Sequence, residues 1–183
     1  KALNIRVKNV HIKGAESVGV TFDYVYMGIV EKCYIEDSTS PGEPIGNTGY
    51  GALADNSCRY IIFSNNKFKN CRHSVAGGHM ANHVLVTGNH SNGSLDRAYD
   101  AHEPCFYWTF ANNHSFSDAG GFNLRGQHMT CVDNKITNPS SIAIIARSFS
   151  PVTQQVGIKI IGNTIKNCAS DAIRAEGGNG KLK

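Results

Sequence analysis

Five short strings, "SNNKF", "TGNHS", "ANNHS", "VDNKI" and "IGNTI", recur along this 183-residue chain with asparagine at the same place in each: Asn66, Asn89, Asn113, Asn134 and Asn163. Successive anchors are 23, 24, 21 and 29 residues apart. Cys33 in "EKCYI" and Val10 in "VKNVHI" take the same slot, 33 and 23 residues before their successors, so the register holds seven copies. A unit this short cannot bury a face alone. It has to stack on its neighbours, which makes the chain a solenoid.

Other columns test the register. Five and three residues before the anchors stand Ile5 and Val7, Gly28 and Val30, Ile61 and Phe63, Val84 and Val86, Trp108 and Phe110, Met129 and Cys131, and Ile158 and Ile160, apolar throughout except Gly28. Period two inside each copy is the pattern of a strand with one buried face. Two residues after the anchor, Ile12, Ile35, Phe68, Ser91, Ser115, Ile136 and Ile165 form a second inward column past a bend. A third strand follows in "SVAGG", "AYDAH", "GFNLR", "IAIIAR" and "DAIRAE". No stretch carries the 3.6-residue period of a helix, so the expectation is an all-β fold with three short strands per rung and an asparagine ladder at one turn.

Composition narrows the partners. The net charge of +4 is spread thinly, with no Lys/Arg run of the kind that binds nucleic acid and no apolar run long enough to span a bilayer. The six cysteines are expected to be free. Cys71 and Cys168 share a slot four rungs apart and Cys58 and Cys105 share one two rungs apart, hence roughly 19 and 10 Å at ~4.8 Å per rung, against the ~5.5 Å Cα separation of a disulfide. Buried free thiols point to assembly in a reducing compartment. The register runs through residues 1–183 as a single domain. It starts in a strand without a polar cap and reads as an internal stretch of a longer chain.

The third strand carries the chemistry. With Ala101, Leu124, Ala146 and Ala175 inward, alternation sends His102, Arg125, Arg147 and Glu176 outward in one column, and Asp100, Asn123 and Arg174 into the next. Glu103 falls at the following turn. His, Arg and Arg stacked about 5 Å apart beside carboxylates suit an extended acidic ligand, whereas a solvated face of ion pairs would display the same residues and do little. Of the nearby aromatics, Trp108 is in an inward register and is expected in the core. His79, His102 and Asp100 could converge as metal ligands, but no fixed-spacing motif supports a metal site and no cofactor is implied. His90 and His114, each following a ladder asparagine, are expected to stack. Two irregular spacings hold the loop-like strings "STSPGEPIGNTGYG" and "RSFSPVTQQ", expected to frame the charged strand.

The stacked repeats and the ladder resemble the right-handed parallel β-helix of the pectate-lyase-like superfamily. The strings "CRH" (71–73), "DAHE" (100–103) and "LRG" (124–126) are similar to a pattern in phage tailspike and appendage proteins that degrade surface polymers. The resemblance implies a depolymerase that binds bacterial capsular polysaccharide, lipopolysaccharide or teichoic acid, as a homotrimer in a virion tail assembled in the host cytoplasm. Two chemistries fit the residues. A hydrolase needs a protonated acid and a second carboxylate, for which Asp100 and Glu103, with Asp55 two rungs away, are the candidates. A lyase or an epimerase needs a base beside a uronate carboxylate and cations to neutralise it, roles open to His102 with Arg125 and Arg147. His73 and Asn123 complete the expected binding surface. Hydrolysis is the first expectation, and a receptor-binding spike without activity is the alternative from outside enzymology.

Overall fold

The computed structural model describes residues 2–39, 48–147 and 156–177. Every regular element among them is a strand, and the strands make three parallel sheets of seven. The first sheet runs from Ala2–Lys8 to Lys159–Ile161, the second from His11–Lys13 to Thr164–Lys166, and the third from Val18–Asp23 to Ile173–Glu176. Each strand pairs with the equivalent strand of the next copy, so the chain coils as a parallel β-helix of seven rungs. The third sheet contains two strands absent from the pattern read above, Val18–Asp23 and Tyr50–Asp55. "YGALAD" lacks the shared spacing because the insertion in the 33-residue copy displaces it, whereas "VGVTFD" stands at the ordinary distance from Val10.

The inward columns are the ones the period demands. Val30, Phe63, Val86, Phe110, Cys131 and Ile160 are paired rung to rung, and all but Ile160 are fully buried. Trp108 is buried in the same core. It fits because the neighbouring Gly77 has no side chain: a Cβ there would lie 2.2 Å from the indole. All six cysteines are free, five of them buried.

The anchors form a hydrogen-bonded ladder. Asn66 Nδ2 donates to Asn89 Oδ1 (2.9 Å), Asn89 to Asn113 (3.0 Å), Asn113 to Asn134 (3.0 Å) and Asn134 to Asn163 (2.9 Å), while each Oδ1 also accepts the backbone N–H of the preceding anchor. Cys33 takes the first place through its backbone N–H, 2.9 Å from Asn66 Oδ1. Replacing Asn113 by Ala strands a buried N–H on one side and the Val86 carbonyl on the other. The expected loss is on the order of 1–3 kcal/mol, read as a fall in melting temperature with polymer binding retained. His90 and His114 lie on adjacent rungs beside the ladder, 4.8 Å between ring centroids, but meet edge to face at 78° and do not stack as expected.

Where the inward apolar column gives way to Ser91 and Ser115, the core turns polar. Asp118, buried, accepts from the hydroxyls of Ser91 (3.0 Å) and Ser115 (2.6 Å) and from the backbone N–H of Ser94 (2.6 Å). Burial raises its pKa against these hydrogen bonds. The network satisfies each hydroxyl, which is the condition for polar groups inside a solenoid.

Candidate functional site

The pleat of the third sheet sets the site. Asp100, Asn123, Ile145 and Arg174 are Cα partners on successive strands, and the next outward position holds His102, Arg125, Arg147 and Glu176. Asp55 and Gly78 continue that second column on the earlier rungs. Both columns therefore run as the alternation requires, with Ile145 inserted between Asn123 and Arg174.

Asp100 is the centre, but it is not solvated. It is only 2% exposed, which corrects the expectation of a solvent-facing carboxylate. Stacked rungs bring Arg125 over it, with Nε and Nη2 donating to its two oxygens at 3.1 and 2.9 Å. His102 Nε2 lies 3.1 Å and His73 Nε2 3.7 Å from Oδ2. His102 Nε2 thus faces the carboxylate at contact distance, in a geometry short of a well-aligned hydrogen bond. Burial alone would raise the Asp100 pKa; His102 first, then His73 and Arg125, outweigh burial and hold the carboxyl well below its usual range. A carboxylate so held favours its ionised form near neutral pH, so of the two roles in the expected carboxylate pair it suits the base or nucleophile and not the protonated acid.

His73, also buried, donates from Nδ1 to the Arg97 carbonyl at 2.6 Å. Burial lowers its pKa more than Asp100 raises it, which favours the uncharged ring. His73, Asp100 and His102 offer three ligand atoms within 4.8 Å of one another, in place of the expected set with His79. Arg125 already occupies both oxygens of the carboxylate, and a metal ion would have to displace it. His79 instead pairs with Asp55, Nδ1 to Oδ1 2.6 Å.

Beside this cluster is a small cleft lined by Tyr50, Leu53, Asp55, Gly77, Gly78, His79, His102 and Glu103. Gly78 lies between Asp55 and His102 in the column, where a Cβ would sit 3.2 Å from Asp55 Oδ1; its missing side chain leaves the cleft open. His102 is the member that spans both environments, its side chain 24% exposed on one side and against Asp100 on the other. Glu103 reaches the cleft from the turn after strand Arg97–Ala101. Arg147 stands one rung beyond Arg125; burial and then the Arg125 charge lower its pKa, and a guanidinium remains charged regardless. Asn123 is buried beside Asp100 with Oδ1 unpartnered among the described residues.

Two cleft residues fell outside the sequence columns. Tyr50 packs 5.1 Å from the His73 ring and 6.4 Å from the His102 ring, and burial raises its pKa. It opens a strand that the sequence pattern left inside a loop. His79 lies past the end of its strand, where no column predicts it. The inserted strings fall largely at 40–47 and 148–155, outside the described residues.

Comparison with known proteins bears on this geometry. A family model described as "Right handed beta helix region" matches residues 2–155. Three solved structures share the fold. The tailspike protein gp49 from Pseudomonas phage LKA1 matches at TM-score 0.74 and 19% identity over 90% of this chain. The A-module of an Azotobacter vinelandii mannuronan C-5 epimerase matches at 0.63 and 14% over 97%. A Bacillus pectate lyase in complex with trigalacturonate matches at 0.53 and 12% over 88%. The chain spans 28%, 57% and 65% of those proteins' own lengths. No curated protein matches it in sequence.

Proposed function

The chain belongs to the right-handed β-helix family, and from that premise we propose that it binds an acidic bacterial surface polysaccharide along the outer face of its third sheet and acts on a uronate unit by proton transfer at His102. The observation that carries the reading is the pairing of His102 with an ionised, buried Asp100. His102 takes the hydrogen from C5 of the uronate, and the Asp100 carboxylate stabilises the imidazolium that results, as a carboxylate does for histidine bases elsewhere. Arg147 and the outer edge of Arg125 face the sugar carboxylate and neutralise the charge that spreads onto it as C5 loses its proton. Tyr50, its phenol kept protonated by burial, lines the cleft beside His102, and solvent in the cleft donates the proton. If the proton goes to the departing O4, the glycosidic bond breaks and an unsaturated uronate forms; if it returns to C5 from the other face, the sugar is epimerised.

Support comes also from the likeness to an epimerase of mannuronan and to a lyase crystallised with trigalacturonate. The tailspike likeness supports a place in a virion tail or appendage; the homotrimer is part of the proposal and rests on the resemblance alone. Hydrolysis, the first expectation from sequence, keeps one favourable observation: Asp55 and Glu103 line the same cleft, so the acid pair would be these two and not Asp100 with Glu103. Incubation with polyuronates, neutral capsules and teichoic acid separates the readings. Elimination yields reducing ends with ultraviolet absorbance from the unsaturated uronate. Hydrolysis yields reducing ends without it, and released phosphate would indicate teichoic acid.

A further inference from the structure

The first sheet carries an exposed column that the proton-transfer site does not use. Met27, Tyr60, His83, Tyr107 and His128 occupy equivalent places on five successive rungs, each with a left-handed backbone at φ 61, 58, 54, 57 and 53°. Two other columns of left-handed residues run along the helix and hold mostly Asn, Asp and Gly, with Lys32 in one and Ser117 in the other, and Asn4 and Gly157 stand at the two ends of the aromatic column itself. Bulky aromatics in this conformation are unusual and strained. Backbone ease therefore does not account for the rings.

The rings form a continuous ladder-like row, tilted at 47° and 31° at the first two contacts and stacked at 7° at the third. Centroids are 5.1 Å apart from Tyr60 to His83, 4.8 Å from His83 to Tyr107, and 4.9 Å from Tyr107 to His128. Tyr60 is 42% and Tyr107 50% exposed. The rings cover part of each other's faces, so solvent meets a row in which phenols alternate with imidazoles at one per rung. Neither phenol is hydrogen-bonded among the described residues. Arg59 lies 5.6 Å over the Tyr60 ring and donates to Asn82, which also contacts His83. The adjacent outward column passes from Ile29 through Ile62, Leu85, Thr109 and Thr130 to Lys159 without a carboxylate. At the other end the ladder borders a hollow lined by Ile5, Arg6, Met27, Ile29 and Ile62.

We propose that this ladder is a second, non-catalytic track for a linear acidic glycan lying parallel to the helix axis, with hydroxyls and carboxylates of successive sugars meeting successive rings. The rung repeat of ~4.8 Å is close to the length of one sugar unit, and the absence of carboxylates from both columns leaves the track open to an anion. The chemistry of the ligand rests on the polymer reading above; the location does not. The first sheet is a different face of the solenoid from the third, so the two tracks would hold separate stretches of polymer.

The test is the double variant Tyr60→Asn/Tyr107→Asn, chosen because asparagine accepts the left-handed backbone and the fold should survive. Binding of long polyuronate should weaken on the order of tenfold or more, with turnover of short oligosaccharides at parental level. Tyr60→Phe/Tyr107→Phe, which keeps the row of rings and removes the hydroxyls, should lose part of that affinity. Parental affinity in the Asn variant overturns the track, as does dissociation of an oligomer by that variant in sedimentation, which would make the ladder a contact between copies. Turnover bears only on the third sheet: a wild type that binds polymer through the ladder without altering it would sink the proton-transfer reading and leave the track standing.

Discussion

Replacing His102 by Gln lowers turnover of an acidic polymer by 10² to 10⁴-fold, the contribution typical of a positioned base, with melting temperature close to that of the parent. The residue is partly exposed, and Arg125 keeps both of its hydrogen bonds to Asp100 when His102 is replaced, so the fold loses little. Glutamine fills a similar volume and keeps a polar edge toward Asp100 but takes up no proton near neutral pH. Affinity for the polymer should change far less than turnover, because Arg125 and Arg147 remain. Equal losses in affinity and turnover would point to a binding role for His102. Parental turnover would leave Asp55 and Glu103 as the reacting groups.

Asp100→Ala has the opposite profile, a stability effect before a catalytic one. The carboxylate is buried and Arg125 is largely so, with side-chain exposures of 4% and 16%. Removing one partner of such a pair leaves the other charge uncompensated, a cost on the order of 3–5 kcal/mol. Thermal or denaturant unfolding measures it. The same pair predicts acid sensitivity. The folded-state pKa of Asp100 lies below the ordinary value, so its contribution is fully present above about pH 4 and fades as pH falls below that. In Asp100→Ala this part of the acid dependence should vanish, and a variant that melts and titrates like the parent would show that the pair does not hold the sheet.

The rungs, the ladder and the free thiols were legible because each repeats: an error in register would have broken several columns at once. Placement of His102, Arg125 and Arg147 in one column followed from the same arithmetic. What the pattern could not convey was depth. Alternation says which face Asp100 takes, but its burial depends on the side chains of Arg125, His73 and His102 closing over it from neighbouring rungs. Tyr50 was lost for a different reason, since an insertion moved its strand off the spacing by which the others were found. The aromatic column on the first sheet shows a third limit. Its rings alternate with inward residues like any outward position, and only the backbone angles reveal that they stand apart from the asparagines and glycines of the other two turns.

The fate of the hydrogen at C5 of the uronate tests the central claim most directly. With a polyuronate processed in deuterium oxide and the products followed by NMR, proton transfer at His102 predicts that this hydrogen is lost, giving either a double bond between C4 and C5 or a deuteron at C5. Products that retain the original hydrogen at C5 while new reducing ends accumulate would contradict the account and establish hydrolysis.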